Sequence, residues 1–268
     1  ALNEVASAEV QRDEHLLAPG LMVDTIGETL TDVLDRHQIS RETVLGVGVS
    51  LPGLVSGPAG VTVFVPNWAW SSRDLDNLRA RLELPLVLDN PLKAIATAEL
   101  WLGGGRFCSN FVTVNLGTGV GAAIVLDARI ARGATNSAGE WGHSLLVLDG
   151  RQCRCGRRGC VEAYVGVPGI LQTLREIAPG HVLVDTGLLQ NDAIRAIAAS
   201  ATGDDPAIDE AIARTAYYLG SALADLVAVI NPEVVTLTGW TTWALGDRLL
   251  TRVREHVAAQ SPGTSAQD

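Results

Sequence analysis

Gly139-Glu140-Trp141-Gly142-His143, followed ten residues past the histidine by Cys153-Arg154-Cys155-Gly156-Arg157-Arg158-Gly159-Cys160-Val161-Glu162, is the stretch on which the reading of this chain turns. It gathers four soft or borderline ligands, His143, Cys153, Cys155 and Cys160, into a short span. Structural zinc sites take four tetrahedral sulfur and nitrogen ligands. Gly156 and Gly159 permit the tight backbone turns that aim three thiolates at one point. The residues therefore predict one structural zinc ion. Three other readings compete. A disulfide is disfavoured in a reducing cytoplasm; free buried thiols are odd for three cysteines within eight polar, arginine-rich residues; a catalytic cysteine is usually single. Cys108 stands apart and reads as a small core residue. A metal here props up the loop from Glu140 to Glu162, fixing two carboxylates and an imidazole. Carboxylates accept hydrogen bonds from hydroxyls, so the loop suits a hydroxyl-rich ligand.

Outward from this loop, strands alternate with helices. Residues 111–116 and 120–126 read as strands joined by the hairpin turn Gly117-Thr118-Gly119. Upstream, residues 20–37 carry a helical stripe of Met22, Ile26, Leu30, Val33 and Leu34. Residues 44–51 read as a buried strand running into Pro52-Gly53, and 61–65 as a short strand ended by Pro66-Asn67. A helix over 75–82, a strand over 86–88 and an alanine-rich helix over 92–102, closed by Gly103 to Gly105, come next. Downstream, helices are predicted over 168–177, 192–200 and 206–230, a strand over 234–237 and a closing helix over 245–258. This alternation is an α/β pattern.

Bulk properties exclude several function classes. The chain has 268 residues, 47% hydrophobic and 19% charged, which fits an ordinary globular protein. No apolar run approaches the roughly 20 residues of a membrane helix, and residues 1–12 lack a signal peptide's basic and apolar regions, so a cytoplasmic protein away from membranes is expected. Nucleic-acid binding rests mainly on Lys and Arg against phosphates. With 30 acidic against 20 basic residues and a net charge of −10, this chain is a poor DNA binder as it stands, despite the cluster of Arg151, Arg154, Arg157 and Arg158.

The two opening runs resemble the signature of the ROK family, which groups repressors, open reading frames and sugar kinases. The likeness extends along nearly the whole chain. Residues 47–54 are similar to the family's "GVPGxV" strand and turn, Pro66-Asn67-Trp68 to its sugar-contacting stretch, Leu116-Gly117-Thr118-Gly119-Val120-Gly121 to its phosphate-facing hairpin, and 231–239 to its "NPEVVVLGG" strand. The resemblance implies the actin-like ATPase (ribonuclease H-like) fold, with two α/β domains around a cleft. It places an N-terminal domain over 1–105, whose first strand this sequence lacks, and a C-terminal domain over 106–268 with the zinc loop and a dimerisation surface. It also implies sugar contacts from Asn67, Asn90, Glu140, His143 and Glu162, and a phosphate-loop remnant at Gly117, Thr118, Gly119 and Gly121. Taken alone, Asn67 and Asn90 read as turn residues after a strand. Trp68, Trp70 and Trp141 are either pocket walls or ordinary core aromatics.

Three departures bear on catalysis. Kinases of the family carry an Asn-Asp pair before the alanine-rich helix, its Asp taking the sugar hydroxyl's proton; here the pair is Asn90-Pro91, and proline cannot act as a base. Asp89 lies two residues earlier, and neighbouring strand positions need not point the same way. The nucleotide-gripping Asp-x-Gly-x-Thr turn has no counterpart, since Asp24 to Thr29 has the wrong spacing inside a helical pattern. The adenosine-side glycine pair reads Gly239-Trp240. These features point to the sugar-binding effector domain of a ROK-type transcriptional regulator, without kinase activity. The ligand would be a sugar or sugar phosphate, the assembly a homodimer or higher homo-oligomer, and DNA would be reached only through a domain absent from this sequence. The alternative is an ATP-dependent kinase of a hexose or amino sugar, which alone would need ATP and Mg2+ beside the structural Zn2+. A third reading is a sugar sensor with no role on DNA.

Overall fold

The computed structural model describes residues 3–10, 18–51, 54–56, 61–64, 71–184, 188–200 and 205–263. The chain divides into two compact units, Ala1–Ala94 with Gly133–Ser137, and Ile95–Arg132 with Ala138–Asp268.

In the first unit, α1 (Pro19–Arg36) opens on a proline, whose missing N–H costs nothing at a helix start. Asp24 to Thr29 lie inside it, so no phosphate-gripping turn forms there. A 3-10 turn, Arg41–Thr43, precedes β1 (Val47–Ser50) and shortens the strand expected over 44–51. β2 (Leu54–Ser56) pairs antiparallel with β3 (Val61–Phe64). α2 (Ser72–Leu82) starts at a capping box: Asp74 N donates to Ser71 Oγ at 3.3 Å and Ser71 N to Asp74 Oδ2 at 2.8 Å. β4 (Leu86–Asp89) runs parallel to β1, with Val47 opposite Leu86 and Ser50 opposite Asp89. Val23, Leu51, Leu75, Leu78 and Leu82 form the core of this unit. α3 (Pro91–Trp101) follows β4 and crosses from one unit into the other.

The second unit is built on a four-stranded sheet of order β7-β6-β5-β8. β5 (Phe111–Leu116) and β6 (Val120–Leu126) form the expected antiparallel hairpin, Leu116 opposite Val120 and Asn115 opposite Gly121. β7 (Arg129–Ile130) extends β6, and β8 (Val234–Thr238) lies parallel to β5 on its other side. Most of β5 is buried, as a strand covered on both faces should be. The short α4 (Glu162–Val165), α5 (Val167–Ile177), α6 (Gln190–Ser200), α7 (Pro206–Ile230) and α8 (Trp240–Gln260) complete it. Asp205 caps α7 by accepting from Ala207 N and Ile208 N at 3.0 and 3.3 Å, and Asn231 ends it with φ 49°. α8 starts five residues before the periodic stripe that betrays it, because Gly246 (φ 54°, ψ −144°) breaks the helical path and resets the phase. Among the described residues, no helix is long and apolar enough to cross a membrane.

Candidate functional site

The His/Cys3 loop is seated on β6 of the second unit. A single 3-10 turn, Glu140–His143, lies against that strand, and both glycines of the Gly-Glu-Trp-Gly-His run are demanded by the seat. Gly139 has φ 96°, and a Cβ on it would fall 2.0 Å from Ala122 O; one on Gly142 would fall 1.8 Å from Val120 O. Ala122 N donates to Gly139 O at 3.0 Å, which fixes the turn to the strand. His143 is thereby held at the turn's end.

The cysteines are aimed by a backbone that folds on itself. Cys153 N donates to Arg157 O at 2.8 Å, Gly156 N to Cys153 O at 3.0 Å and Gly159 N to Arg151 O at 2.8 Å. Gly156 and Gly159 take φ of 88° and 75°, the left-handed region that glycine enters without a Cβ penalty. The outcome brings His143, Cys153, Cys155 and Cys160 together, with one ligand atom from each lying within 4.8 Å of every other. Cys153 Sγ is 3.7 Å from His143 Nδ1, and Cys155 Sγ is 3.7 Å from Cys160 Sγ. Tetrahedral zinc, with Zn–S bonds of about 2.3 Å, asks for ligand spacings of roughly 3.5–3.8 Å. The group therefore fits a metal ion.

Electrostatics favours a cation at this point. Burial pushes the Cys153 thiol up to about 12 and raises Cys160 as well. Cys155 is the exception: burial raises it, but hydrogen bonds, first from the Arg157 backbone, outweigh that and bring it below the ordinary thiol value. Three adjacent sulfurs cannot all ionise unless a positive charge compensates them.

Glu162 joins this loop to the glycine hairpin. It is buried, its Oε2 accepts from Val120 N at 3.0 Å, and its Oε1 lies 3.6 Å from Arg154 Nη2 and 3.9 Å from Cys153 Sγ. The hairpin is hemmed in by side chains: a Cβ on Gly119 would fall 3.1 Å from Glu162 Oε2, and one on Gly117 would fall 2.9 Å from Trp240 Nε1. Gly117 N donates to Gly119 O at 3.1 Å across the turn, and Val167 N donates to Gly117 O at 3.0 Å. Glu140 is exposed at the start of its turn, whereas Trp141 packs partly buried against the core.

The remaining predicted contacts belong to the first unit. Asn90 accepts from Leu92 N at 2.8 Å through Oδ1, and its own N donates to Asp89 Oδ1 at 2.8 Å. Asp89-Asn90-Pro91 is thus a well-formed helix start, with a capping side chain and proline at the first helical position. Asn67, Trp68 and Trp70 lie outside the described residues.

Sequence reasoning missed Arg151 as an individual. Its Nη1 donates to Gly169 O at 3.0 Å and Ala163 O at 3.4 Å, its Nη2 to Thr173 Oγ1 at 2.9 Å and Glu176 Oε2 at 2.6 Å, and its guanidinium lies 4.6 Å from the Tyr164 ring centroid. These partners are 12 to 25 residues away in sequence, so no local spacing signals them. Beside it lies a cavity of about 320 Å³ between the metal loop, the hairpin tip and the first turn of α5.

A glycine hairpin flanked by a parallel strand, with a His/Cys3 loop seated on its second strand, belongs to the actin-like ATPase (ribonuclease H-like) class of α/β folds. Within that class the chain belongs to the ROK family, whose sequence profile matches residues 5–264. It is 30% identical over 245 residues to a glucokinase of Halalkalibacterium halodurans, covering 89% of this chain and 74% of that protein. It is also 30% identical over 234 residues to a putative xylose repressor of a Caldicellulosiruptor species, covering 85% of this chain but only 58% of the repressor. Among solved structures, a ROK family glucokinase from Streptomyces griseus in complex with glucose and AMPPNP superposes with a TM-score of 0.79 at 25% identity, covering 94% of this chain and 81% of that one.

Proposed function

We propose that this chain is the sugar-binding effector domain of a ROK-type transcriptional regulator, inactive as a kinase. The observation that carries the reading is the occupation of two kinase positions by side chains with structural duties. Pro91 stands where the resemblance expects a base, and proline offers no proton acceptor there. The local hydrogen bonds make it a natural helix start rather than a damaged site. Trp240, in place of a small residue, sets its indole nitrogen against Gly117 of the hairpin. Phosphoryl transfer is achieved almost wholly by positioning and charge, so losing both a base and open space at the hairpin weighs heavily against it.

In this reading His143, Cys153, Cys155 and Cys160 hold a structural zinc ion, which fixes the loop that presents Glu140 and Glu162. Asn67, Asn90, Glu140, His143 and Glu162 contact the sugar's hydroxyls. Sugar binding biases a two-state equilibrium of a homodimer, and an attached module reads DNA. The net charge of −10 supports assigning DNA contact to another module.

Calorimetric titration with a panel of hexoses, pentoses and amino sugars, with and without Mg-ATP, tests the proposal. Saturable sugar binding that ignores ATP is expected, with no continuing heat. Sugar-dependent ATP turnover would defeat it and establish the kinase instead.

A further inference from the structure

The three cysteines of the loop stand differently towards solvent. Cys153 and Cys160 are 4% and 1% exposed, whereas Cys155 is half-buried and lies among exposed residues, Arg154 before it and Gly156, Arg157 and Arg158 after it. Cys155 is therefore the most open of the three to a small solute. Their neighbours differ as well. Cys153 Sγ faces His143 Nδ1 at 3.7 Å and Glu162 Oε1 at 3.9 Å, so an imidazole and a carboxylate flank it. Cys155 Sγ faces Cys160 Sγ at 3.7 Å, with the Arg157 guanidinium in hydrogen-bonding contact. That guanidinium is fixed, since its Nη2 donates to His143 O at 2.5 Å. A partly open sulfur beside a fixed cation is the setting in which a cysteine meets an oxidant.

The backbone lets this pair close. Disulfide sulfurs are about 2.05 Å apart, so the two must approach by roughly 1.7 Å. Cys160 is anchored, because Val161 N donates to Ser144 O at 3.1 Å and Ala163 N to Cys160 O at 3.0 Å. Between the two cysteines lie Gly156 and Gly159, whose lack of a Cβ gives the exposed side of the loop freedom to follow. Cys155 is thus the member that moves.

We propose that Cys155 and Cys160 form a reversible oxidation site for peroxides, and that their disulfide expels the metal. The Cys155 thiolate attacks one oxygen of hydrogen peroxide: an S–O bond forms, the O–O bond breaks and hydroxide leaves. Sulfur gives up two electrons and the peroxide takes them. The Cys160 thiolate then attacks the sulfenic sulfur, so that the S–S bond forms, the S–O bond breaks and a second hydroxide leaves. Only His143 and Cys153 then remain as ligands, too few for a structural zinc site. A dithiol reductant returns both thiolates, which makes the disulfide a transient state in a reducing compartment. The site rests on the zinc part of the proposed function; only its consequence, release of the loop that presents Glu140 and Glu162, touches the sugar part.

The test treats the full zinc-loaded chain with hydrogen peroxide. Released zinc is read with a colorimetric chelator, thiols by titration of the denatured chain, and the disulfide by peptide mass spectrometry. Wild type should release its zinc, lose two of its four thiols and yield a Cys155–Cys160 linked peptide. Dithiothreitol with added zinc should reverse all three. Cys108→Ser should also lose two thiols and its zinc. Arg157→Lys should keep the wild-type rate of release, and Arg157→Gln should slow it about two- to fivefold, the effect of one partly exposed charge pair; equal rates in all three remove Arg157 from the site. A chain that keeps zinc and thiols while its unfolded form is oxidised overturns the site and leaves the zinc reading standing. A disulfide that joins Cys153 instead, or thiol loss that dithiothreitol does not reverse, also overturns it. A chain purified without metal that still forms the Cys155–Cys160 bond removes the zinc reading, and with it the expulsion step, and leaves the oxidation site standing.

Discussion

Replacing Arg151 by alanine should destabilise the chain by about 2–4 kcal/mol, although a rule of thumb for surface ion pairs gives under about 1 kcal/mol. Its partners decide between the two figures. Glu176 is 44% exposed, so water can take over its lost bond. Gly169 O keeps a donor, since Thr173 Oγ1 donates to it at 3.0 Å. Two losses have no such replacement: the charge-assisted bond to Ala163 O and the guanidinium packed 4.6 Å from the centroid of Tyr164. A hydrogen bond from a charged donor is worth about 1.5–3 kcal/mol, and a desolvated cation–π contact about 1–2 kcal/mol.

The assay is guanidinium unfolding of the metal-loaded chain, comparing Arg151→Ala with Glu176→Gln. The carboxyl change should cost under about 1 kcal/mol, because it touches only the exposed arm of the network. The pair also has a pH signature. Burial raises the Glu176 carboxyl, but the hydrogen bonds from Arg151 and Gln172, with the nearby charges of Arg151 and Arg214, together outweigh it and hold the group below the usual range. Its stabilisation is therefore complete above the unfolded carboxylate value and is lost as pH falls through the lower folded one. Arg151→Ala should flatten that acid limb. If Arg151→Ala costs no more than Glu176→Gln, the arginine is a surface ion pair and the argument from its buried partners is wrong.

Three other outcomes follow from the same geometry. On the proposed zinc reading, Cys153→Ser, Cys155→Ser and Cys160→Ser should each reduce bound metal and lower the melting temperature, whereas Cys108→Ser should do neither; metal analysis of the four proteins settles it. Gly142→Ala drives a Cβ to 1.8 Å from Val120 O and should cost about 3 kcal/mol or more, while Gly156→Ala meets nothing within 4 Å and suffers only its φ of 88°, about 1–2 kcal/mol; paired denaturation curves compare them. The Asp209 carboxyl is held below the usual range by hydrogen bonds from Arg248 and Arg252. Its contribution should be present above pH about 4 and fade as pH falls through the lower folded value, and the acid limb of the melting curve in Asp209→Asn should show that loss.

What could be read from sequence was what repeats locally. The hairpin over 111–126 was visible because two β-branched runs flank a glycine turn, and α7 because Pro206 and its apolar stripe mark both start and course. The four candidate metal ligands were legible from ligand type and spacing alone, and they do come together. β2 and β7, of three and two residues, carry too little pattern to stand out. α4 hides inside the loop that the cysteines make conspicuous. The Arg151 network was illegible for a stronger reason: its partners on α4 and α5 meet it only through the fold.

The glycines of the hairpin show that a motif can have a local structural cause. A Gly-Thr-Gly turn in this family invites a phosphate reading, yet here each glycine has a nearer reason to lack a side chain. Gly117 lies under the indole of Trp240 and Gly119 under the carboxylate of Glu162. Their presence is therefore no argument for nucleotide binding by itself, because the protein's own side chains already crowd both positions. Identity of 30% to both a glucokinase and a repressor shows that the backbone does not separate the two trades either. On the proposed reading the separation lies in a few side chains, Pro91 and Trp240 among them. Each serves the local structure well, one starting α3 and the other opening α8. Under the proposed regulator reading, that local fit is what a fold used for binding without turnover would show.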